Sequence, residues 1–157
     1  MATLRGTNGN DWLNNISYSK NIIIGLGGND YVNKNNSADD LIYGDNTTPS
    51  ASDGNDTVYA GGGNDTVFGG GGRDYLYGEG SNDKMYGQAG DDKLYGGYGD
   101  DTVFGGAGTD YVDGGHADDL LYGDESANSR TDGNDTLIGY SGDDTIYGNG
   151  GNDFIDA

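Results

Sequence analysis

Aspartate returns in this chain every nine residues. It stands at positions 56, 65, 74, 83, 92, 101, 110 and 119 without a break, and the spacing resumes at 135, 144 and 153. A short fixed period constrains a fold strongly, because every unit must find the same surroundings as its neighbours. With Asp as sixth residue, units read Gly-Gly-Ala-Gly-Thr-Asp-Tyr-Val-Asp over 105–113 and Gly-Gly-Tyr-Gly-Asp-Asp-Thr-Val-Phe over 96–104. The eighth place is aliphatic or Met: Val58, Val67, Leu76, Met85, Leu94, Val103, Val112, Leu121, Leu137, Ile146 and Ile155. Nearer the N-terminus Asp11 is followed by Leu13, Asp30 by Val32 and Asp40 by Ile42, while Asn21 takes the Asp place in a degenerate unit and removes a charge. This makes fifteen units, fourteen of them with Asp.

Two spacings are 16 rather than nine, from Asp40 to Asp56 and from Asp119 to Asp135. Both intervals begin Tyr-Gly-Asp and end Asp-Gly-Asn-Asp-Thr, 79 residues apart, the mark of an older duplication. The extra residues predict loop inserts near 46–52 and 125–131, the first holding the only proline, Pro49, where a missing amide donor disturbs no ladder. Residues 1–157 are otherwise one repeat domain.

Composition shows what such a chain needs to hold it together. Glycine supplies 33 of 157 residues and only 32% are hydrophobic, so apolar burial must be supplemented to offset the entropy of ordering. Asp and Glu total 27 against 7 Lys and Arg, a formal net charge of −20. That balance disfavours nucleic acid and acidic membranes as partners, and it attracts cations. Composition alone also suits a disordered acidic tail; the period argues against it. There is no cysteine, hence neither disulfide nor thiolate site. No apolar run approaches the ~20 residues of a membrane span. The opening Met-Ala-Thr-Leu-Arg has no hydrophobic signal stretch, so export by the general secretory route is not expected.

Six residues rich in Gly, Asn and Asp followed by x-apolar-x describe a turn and a very short strand. Two units make one coil of a flattened parallel solenoid, an all-β β-roll with two sheets and turns along both edges. Side chains alternate along a strand, so the eighth residue points inward and the seventh and ninth outward. Coils ~4.8 Å apart give fifteen units a length of roughly 35 Å. Stacking also puts every second sixth-place Asp into a column. Unit charges ~4.8 Å apart repel by about 1 kcal/mol in water and about 3.5 kcal/mol at an effective dielectric of 20. A divalent cation between turns reverses that sign, and an irregular, all-oxygen shell of carboxylates and carbonyls favours Ca²⁺ over Mg²⁺ and over transition metals.

The pattern Gly-Gly-x-Gly-x-Asp-x-(aliphatic)-x, eight times in an unbroken row and spread over residues 6 to 156, resembles the RTX, or haemolysin-type, calcium-binding nonapeptide repeat. The resemblance implies a right-handed β-roll with several calcium ions. Each ion would sit between turns one coil apart, held by sixth-place carboxylates and by carbonyls near the second to fourth places. Carried onto this chain, the carboxylates are Asp11, Asp30, Asp40, Asp56, Asp65, Asp74, Asp83, Asp92, Asp101, Asp110, Asp119, Asp135, Asp144 and Asp153. The glycines are Gly54, Gly61, Gly63, Gly70, Gly72, Gly90, Gly97, Gly99, Gly106, Gly108, Gly115, Gly133, Gly142 and Gly151. Asp65, Asp83 and Asp101 would line one edge; Asp56, Asp74, Asp92 and Asp110 the other. Three turns depart from the pattern: Glu79 and Ser81 precede Asp83, Asn35 to Ala38 replace the glycines before Asp40, and Asn21 lacks the charge. Asp45, Asp53, Asp124 and Asp132 flank the inserts, either as further ligands or as solvated loop carboxylates.

Ninth places are aromatic. If the inserts preserve coil parity, one sheet carries Tyr43, Phe68, Tyr86, Phe104, Tyr122 and Tyr147 as a ladder, and the other Tyr59, Tyr77 and Tyr95, with Tyr75 and Tyr111 at seventh places. Such ladders stabilise a sheet; a flat aromatic face also suits self-association or contact with a glycan or surface. His116, the only histidine, fills a variable third place. No cleft for acid–base chemistry is implied and no enzyme activity is expected. The Asp-x-(Asp/Asn)-x-(Asp/Asn)-Gly loop of helical calcium proteins is absent. The expected function is a calcium-binding structural module that folds on binding the ion, extracellular or at the cell surface. The alternatives are a calcium-dependent adhesion module and an accessory domain of a larger secreted enzyme. The resemblance implies a Gram-negative or cyanobacterial source and type I secretion, although the usual C-terminal secretion segment is not visible because repeats run to Asp156.

Overall fold

Places seven to nine combine β-branched, aromatic and aliphatic side chains, which suit a pleated surface, and each such run is closed by a glycine-rich bend. The computed structural model describes residues 2–14, 19–34, 36–46, 53–124 and 133–157; the insert residues 47–52 and 125–131, with Pro49, and Asp132 lie outside them. Among the described residues there is no helix. The strands are β1 (Ala2–Arg5), β2 (Trp12–Asn14), β3 (Asn21–Leu26), β4 (Tyr31–Asn33), β5 (Leu41–Asp45), β6 (Thr57–Gly62), β7 (Thr66–Gly71) and β8 (Tyr75–Gly80). They continue with β9 (Lys84–Ala89), β10 (Lys93–Tyr98), β11 (Thr102–Ala107), β12 (Tyr111–His116), β13 (Leu120–Tyr122), β14 (Thr136–Ser141), β15 (Thr145–Tyr147) and β16 (Phe154–Asp156).

Odd strands form one parallel sheet and even strands the other, each in sequence order. The result is the expected parallel β-solenoid of about eight coils. Like places stack on like: Val67 pairs with Met85, and Met85 with Val103. Both inserts preserve parity, since Tyr43 pairs with Phe68 and Val112 with Leu137 across them.

Most strands are twice as long as expected. β7 carries places seven to nine and then one to three of the next unit, with Gly70 opposite Gln88 and Gly71 opposite Ala89. The ladder survives the bend because the glycine backbone comes close to the neighbouring coil, where a side chain would collide.

Eighth-place residues form a single stack down the middle. Ile23, Val32, Ile42, Val58, Val67, Leu76, Met85, Leu94, Val103, Val112, Leu121 and Leu137 are fully buried. Each such side chain contributes roughly 1.5–3 kcal/mol. Ile155, in the C-terminal strand β16, is 47% exposed. Outside, the expected ladder stands: Tyr43, Phe68, Tyr86, Phe104, Tyr122 and Tyr147 stack with centroids 4.6–5.1 Å apart. On the other sheet Tyr59, Tyr77 and Tyr95 stack at 4.6 and 4.9 Å, joined below by Trp12 and Tyr31.

Candidate metal centre

Each sixth-place Asp lies where the bend meets the next strand, and the geometry of the roll turns its side chain inward. Asp56 and Asp74 are fully buried, and Asp83, Asp92 and Asp101 are 1% exposed. The two carboxylate oxygens then have different fates. Oδ1 accepts the N–H of the sixth-place residue one coil earlier. One edge thus runs from Asp11 through Asp30, Asp56, Asp74, Asp92, Asp110 and Asp135 to Asp153. The other runs from Asn21 through Asp40, Asp65, Asp83, Asp101 and Asp119 to Asp144. The edge assignment made from spacing alone is the one found.

Oδ2 is buried without a hydrogen-bond partner at Asp30, Asp56, Asp65, Asp74, Asp83, Asp92, Asp101, Asp110 and Asp119. Buried polar atoms are normally satisfied, and nine orphaned carboxylate oxygens in regular array call for a common explanation. Burial pushes these carboxyls upward, with neighbouring carboxylates adding to the shift at most of them and the donated amide opposing it. The values reach about 9 at Asp74, about 8 at Asp56, Asp65, Asp83 and Asp110, about 7 at Asp92 and Asp101, and about 6 at Asp30 and Asp119. The carboxyls raised to about 8 or 9 stay ionised at neutral pH only beside a positive charge.

Beside these Oδ2 atoms lies a cradle, except at Asp65, whose turn has Ala60 at the first place. A β-carbon placed on Gly78 would fall 2.5 Å from Asp83 Oδ2 and 2.6 Å from Gly96 O; on Gly105 it would fall 2.7 Å from Asp110 Oδ2 and 2.5 Å from Gly123 O. Carboxylate and main-chain oxygens thus converge where the first-place residue has no side chain. The bend itself is set by places two and four. Twelve of the expected glycines hold positive φ there, and so do Leu26, Glu79, Ser81, Gln88, Ala117, Tyr140 and Asn149. A non-glycine residue resists that conformation by roughly 1–2 kcal/mol, so the roll imposes it. Glu79 and Ser81 therefore leave the Asp83 turn in shape.

Among the described residues no three His, Cys, Asp or Glu side chains converge on one point. The oxygens that do come together are a sixth-place carboxylate and a main-chain carbonyl of the next coil. Such an oxygen-only set fits a hard ion with flexible coordination, Ca²⁺ above Mg²⁺.

The ends differ from the middle. Asp11 Oδ2 accepts the N–H of Thr7 at 2.5 Å and its hydroxyl at 2.9 Å. Asp40 Oδ2 lies 3.1 Å from Lys34 Nζ. Asp144 and Asp153 sit half-buried on the last coil. Of the insert residues, Asp45 occupies a second place, is 1% exposed, and accepts from Gly54 N and Gly71 N. Burial raises it to about 7, with Asp53 adding to the shift. Asp124 is its counterpart, accepting from Gly150 N at 3.1 Å. Both are buried, which excludes the solvated-loop alternative for these two.

Two features escaped sequence reasoning. First-place glycines were not singled out, although their near constancy in the repeat is a visible signal. Fifth-place residues were also passed over: Asn55 accepts from Arg73 N and Asp91 from Thr109 N, running opposite in direction to the sixth-place bonds. Each coil interface is thus stitched both ways.

A parallel β-roll whose bends gather buried, unanswered carboxylates is a cation-binding solenoid. The model of the RTX calcium-binding nonapeptide repeat (4 copies) matches residues 3–14, 18–33, 50–76, 65–94, 77–112, 95–129 and 130–157. The chain belongs to that family, whose repeats bind calcium ions, several per array. Its β-rolls are structural, typically non-catalytic modules, and are typical of extracellular proteins secreted by bacteria. No curated protein matches the chain significantly.

Proposed function

We propose that this chain is a structural calcium-binding module that acquires its fold on binding the ion and works outside the cell. The observation that supports it most is the two columns of buried Oδ2 atoms, nine in all. Successive sixth-place aspartates, among them Asp65, Asp83 and Asp101 on one edge and Asp56, Asp74, Asp92 and Asp110 on the other, would hold the ions, with bend carbonyls completing each shell. Bound calcium supplies the positive charge that lets adjacent coils bring ionised carboxylates together. Without it the chain's own charges favour expansion, since a net charge of −20 repels itself. Extracellular calcium sites work at about 10⁻⁴–10⁻³ M, which ties the folded state to the outside of the cell. Size-exclusion chromatography tests this: a compact chain in millimolar calcium and an expanded one in EGTA are expected, and a compact chain in both would contradict it.

A second reading, contact with a glycan, rests on one place. The long ladder offers little to a sugar, because its ring faces are occupied by one another. On the even sheet, however, Tyr98 and Tyr140 are 67% and 65% exposed beside a groove of about 510 Å³ lined also by Glu79, Tyr95, Asp113 and His116. Its ring faces and carboxylates suit a hydroxyl-rich ligand. Retention on a glycan array in calcium should fall on replacing Tyr98 and Tyr140 by Ser; retention that does not change would remove this reading.

A further inference from the structure

Among the described residues Lys34 is the only buried base, with no exposed surface at all. Its place in the repeat is fixed by its main chain. Lys34 N–H donates to Tyr59 O at 2.9 Å, as Gly123 N–H donates to Tyr147 O at 2.9 Å and Gly6 N–H to Ile24 O at 2.8 Å. Lys34 therefore stands at a first place, which glycine fills in nearly every other unit. A side chain leaving that place is aimed at the Oδ2 of its own turn, as the collisions at Gly78 and Gly105 show. Here the turn is one residue longer, because Asp30 and Asp40 are ten apart. The side chain is accommodated, and Nζ comes to rest 3.1 Å from Asp40 Oδ2, both side chains sealed from solvent.

Neighbouring groups complete the arrangement. Asn36 Nδ2 donates to Lys34 O at 2.9 Å and to Asp40 Oδ2 at 3.4 Å. One coil earlier on the same edge stands Asn21, neutral, its N–H given to Asp40 Oδ1 at 2.7 Å. Further along that edge the Oδ2 atoms of Asp65, Asp83, Asp101 and Asp119 have no such answer. At this end, then, one carboxylate of the column is missing and the next carries its own cation.

We propose that Lys34 is a tethered cation that takes the place of one calcium ion, so that the Asp40 turn holds its shape without metal. An ion leaves when calcium is withdrawn; an ammonium on the chain stays at a fixed high local concentration. Removing one member of a buried ion pair leaves the other charge uncompensated and is strongly destabilising, so Lys34 and Asp40 stand or fall together. The roll thereby has an ion-independent end on this edge, next to which the first ion-requiring turn can form by nearest-neighbour stacking.

This rests on the reading of sixth-place aspartates as calcium ligands, and equilibrium dialysis of the whole chain against radioactive calcium separates the two. Asp40→Asn is expected to leave the number of bound ions unchanged, Asp83→Asn to lower it by at least one, and Lys34→Gly to raise it by one. Loss of an ion in Asp40→Asn, or no gain in Lys34→Gly, overturns the role of Lys34 while leaving the calcium reading intact. No bound calcium in the unaltered chain overturns the calcium reading itself. Should neither variant fold, diffraction from the unaltered chain in calcium decides: no ion beside Asp40 Oδ2 agrees with the proposal, and an ion there refutes it.

Discussion

The Asp40 turn and the Asp83 turn occupy the same edge two coils apart and solve one problem in two ways. Both bury a sixth-place carboxylate, and both give Oδ1 to the amide of the preceding coil. At Asp40 the other oxygen meets Lys34; at Asp83 it meets no protein donor. Asp11, on the opposite edge, resembles Asp40, since Thr7 supplies both an N–H and a hydroxyl. Asp11 and Asp40 thus carry their answers in the sequence, whereas Asp30 and the carboxylates of the middle of the roll have none from the protein. On the proposed reading, conditional folding is a property of the middle.

The largest effect that separates the two regions is withdrawal of calcium. In EGTA at neutral pH, amide hydrogen exchange is expected to show loss of protection throughout 57–122, and protection that persists there would erase the distinction. Next in size is the core. Leu94→Ala, at a fully buried place flanked by Leu76 and Val112, should cost about 2–5 kcal/mol in denaturant titrations in calcium. Leu13→Ala, at 7% exposure on a sheet-edge strand, should cost less than about 2 kcal/mol. Equal costs would mean that the stack has no distinct middle.

Smaller still is the response to pH without metal. Asp56, Asp65, Asp74, Asp83 and Asp110 have folded values of about 8 to 9 against 3.8 when unfolded. Between those limits the folded chain binds more protons, so its stability falls as pH rises and is recovered as pH drops toward 4. Chelated protein is therefore expected to gain β-signal in circular dichroism between pH 8 and pH 4.5. A flat profile would show that these carboxyls are not what holds the metal-free chain open.

Much of this was legible beforehand. The nine-residue period predicted the inward stack, the two sheets and which aspartates share an edge, because a strict repeat leaves few ways to stack. Parity across the inserts was not legible, since it depends on the insert lying inside a turn: Gly44 approaches Asp56 and Gly123 approaches Asp135, so Asp45 and Asp124 fill second places. Strand length was also misjudged at places one to three, where a glycine-rich stretch reads as a turn but keeps ladder pairing. Lys34 was hidden for a different reason. Counted back from Asp40 the ten-residue unit puts Asn35 at the first place, and only counting forward from Asp30, as main-chain bonding does, puts Lys34 there.

Diffraction from crystals grown in millimolar calcium, with anomalous data to identify the ion, tests the central claim most directly. Ion density is expected in the bends between Asp65, Asp83 and Asp101 and between Asp56, Asp74, Asp92 and Asp110. A fully formed roll whose bends contained no ion would contradict the account.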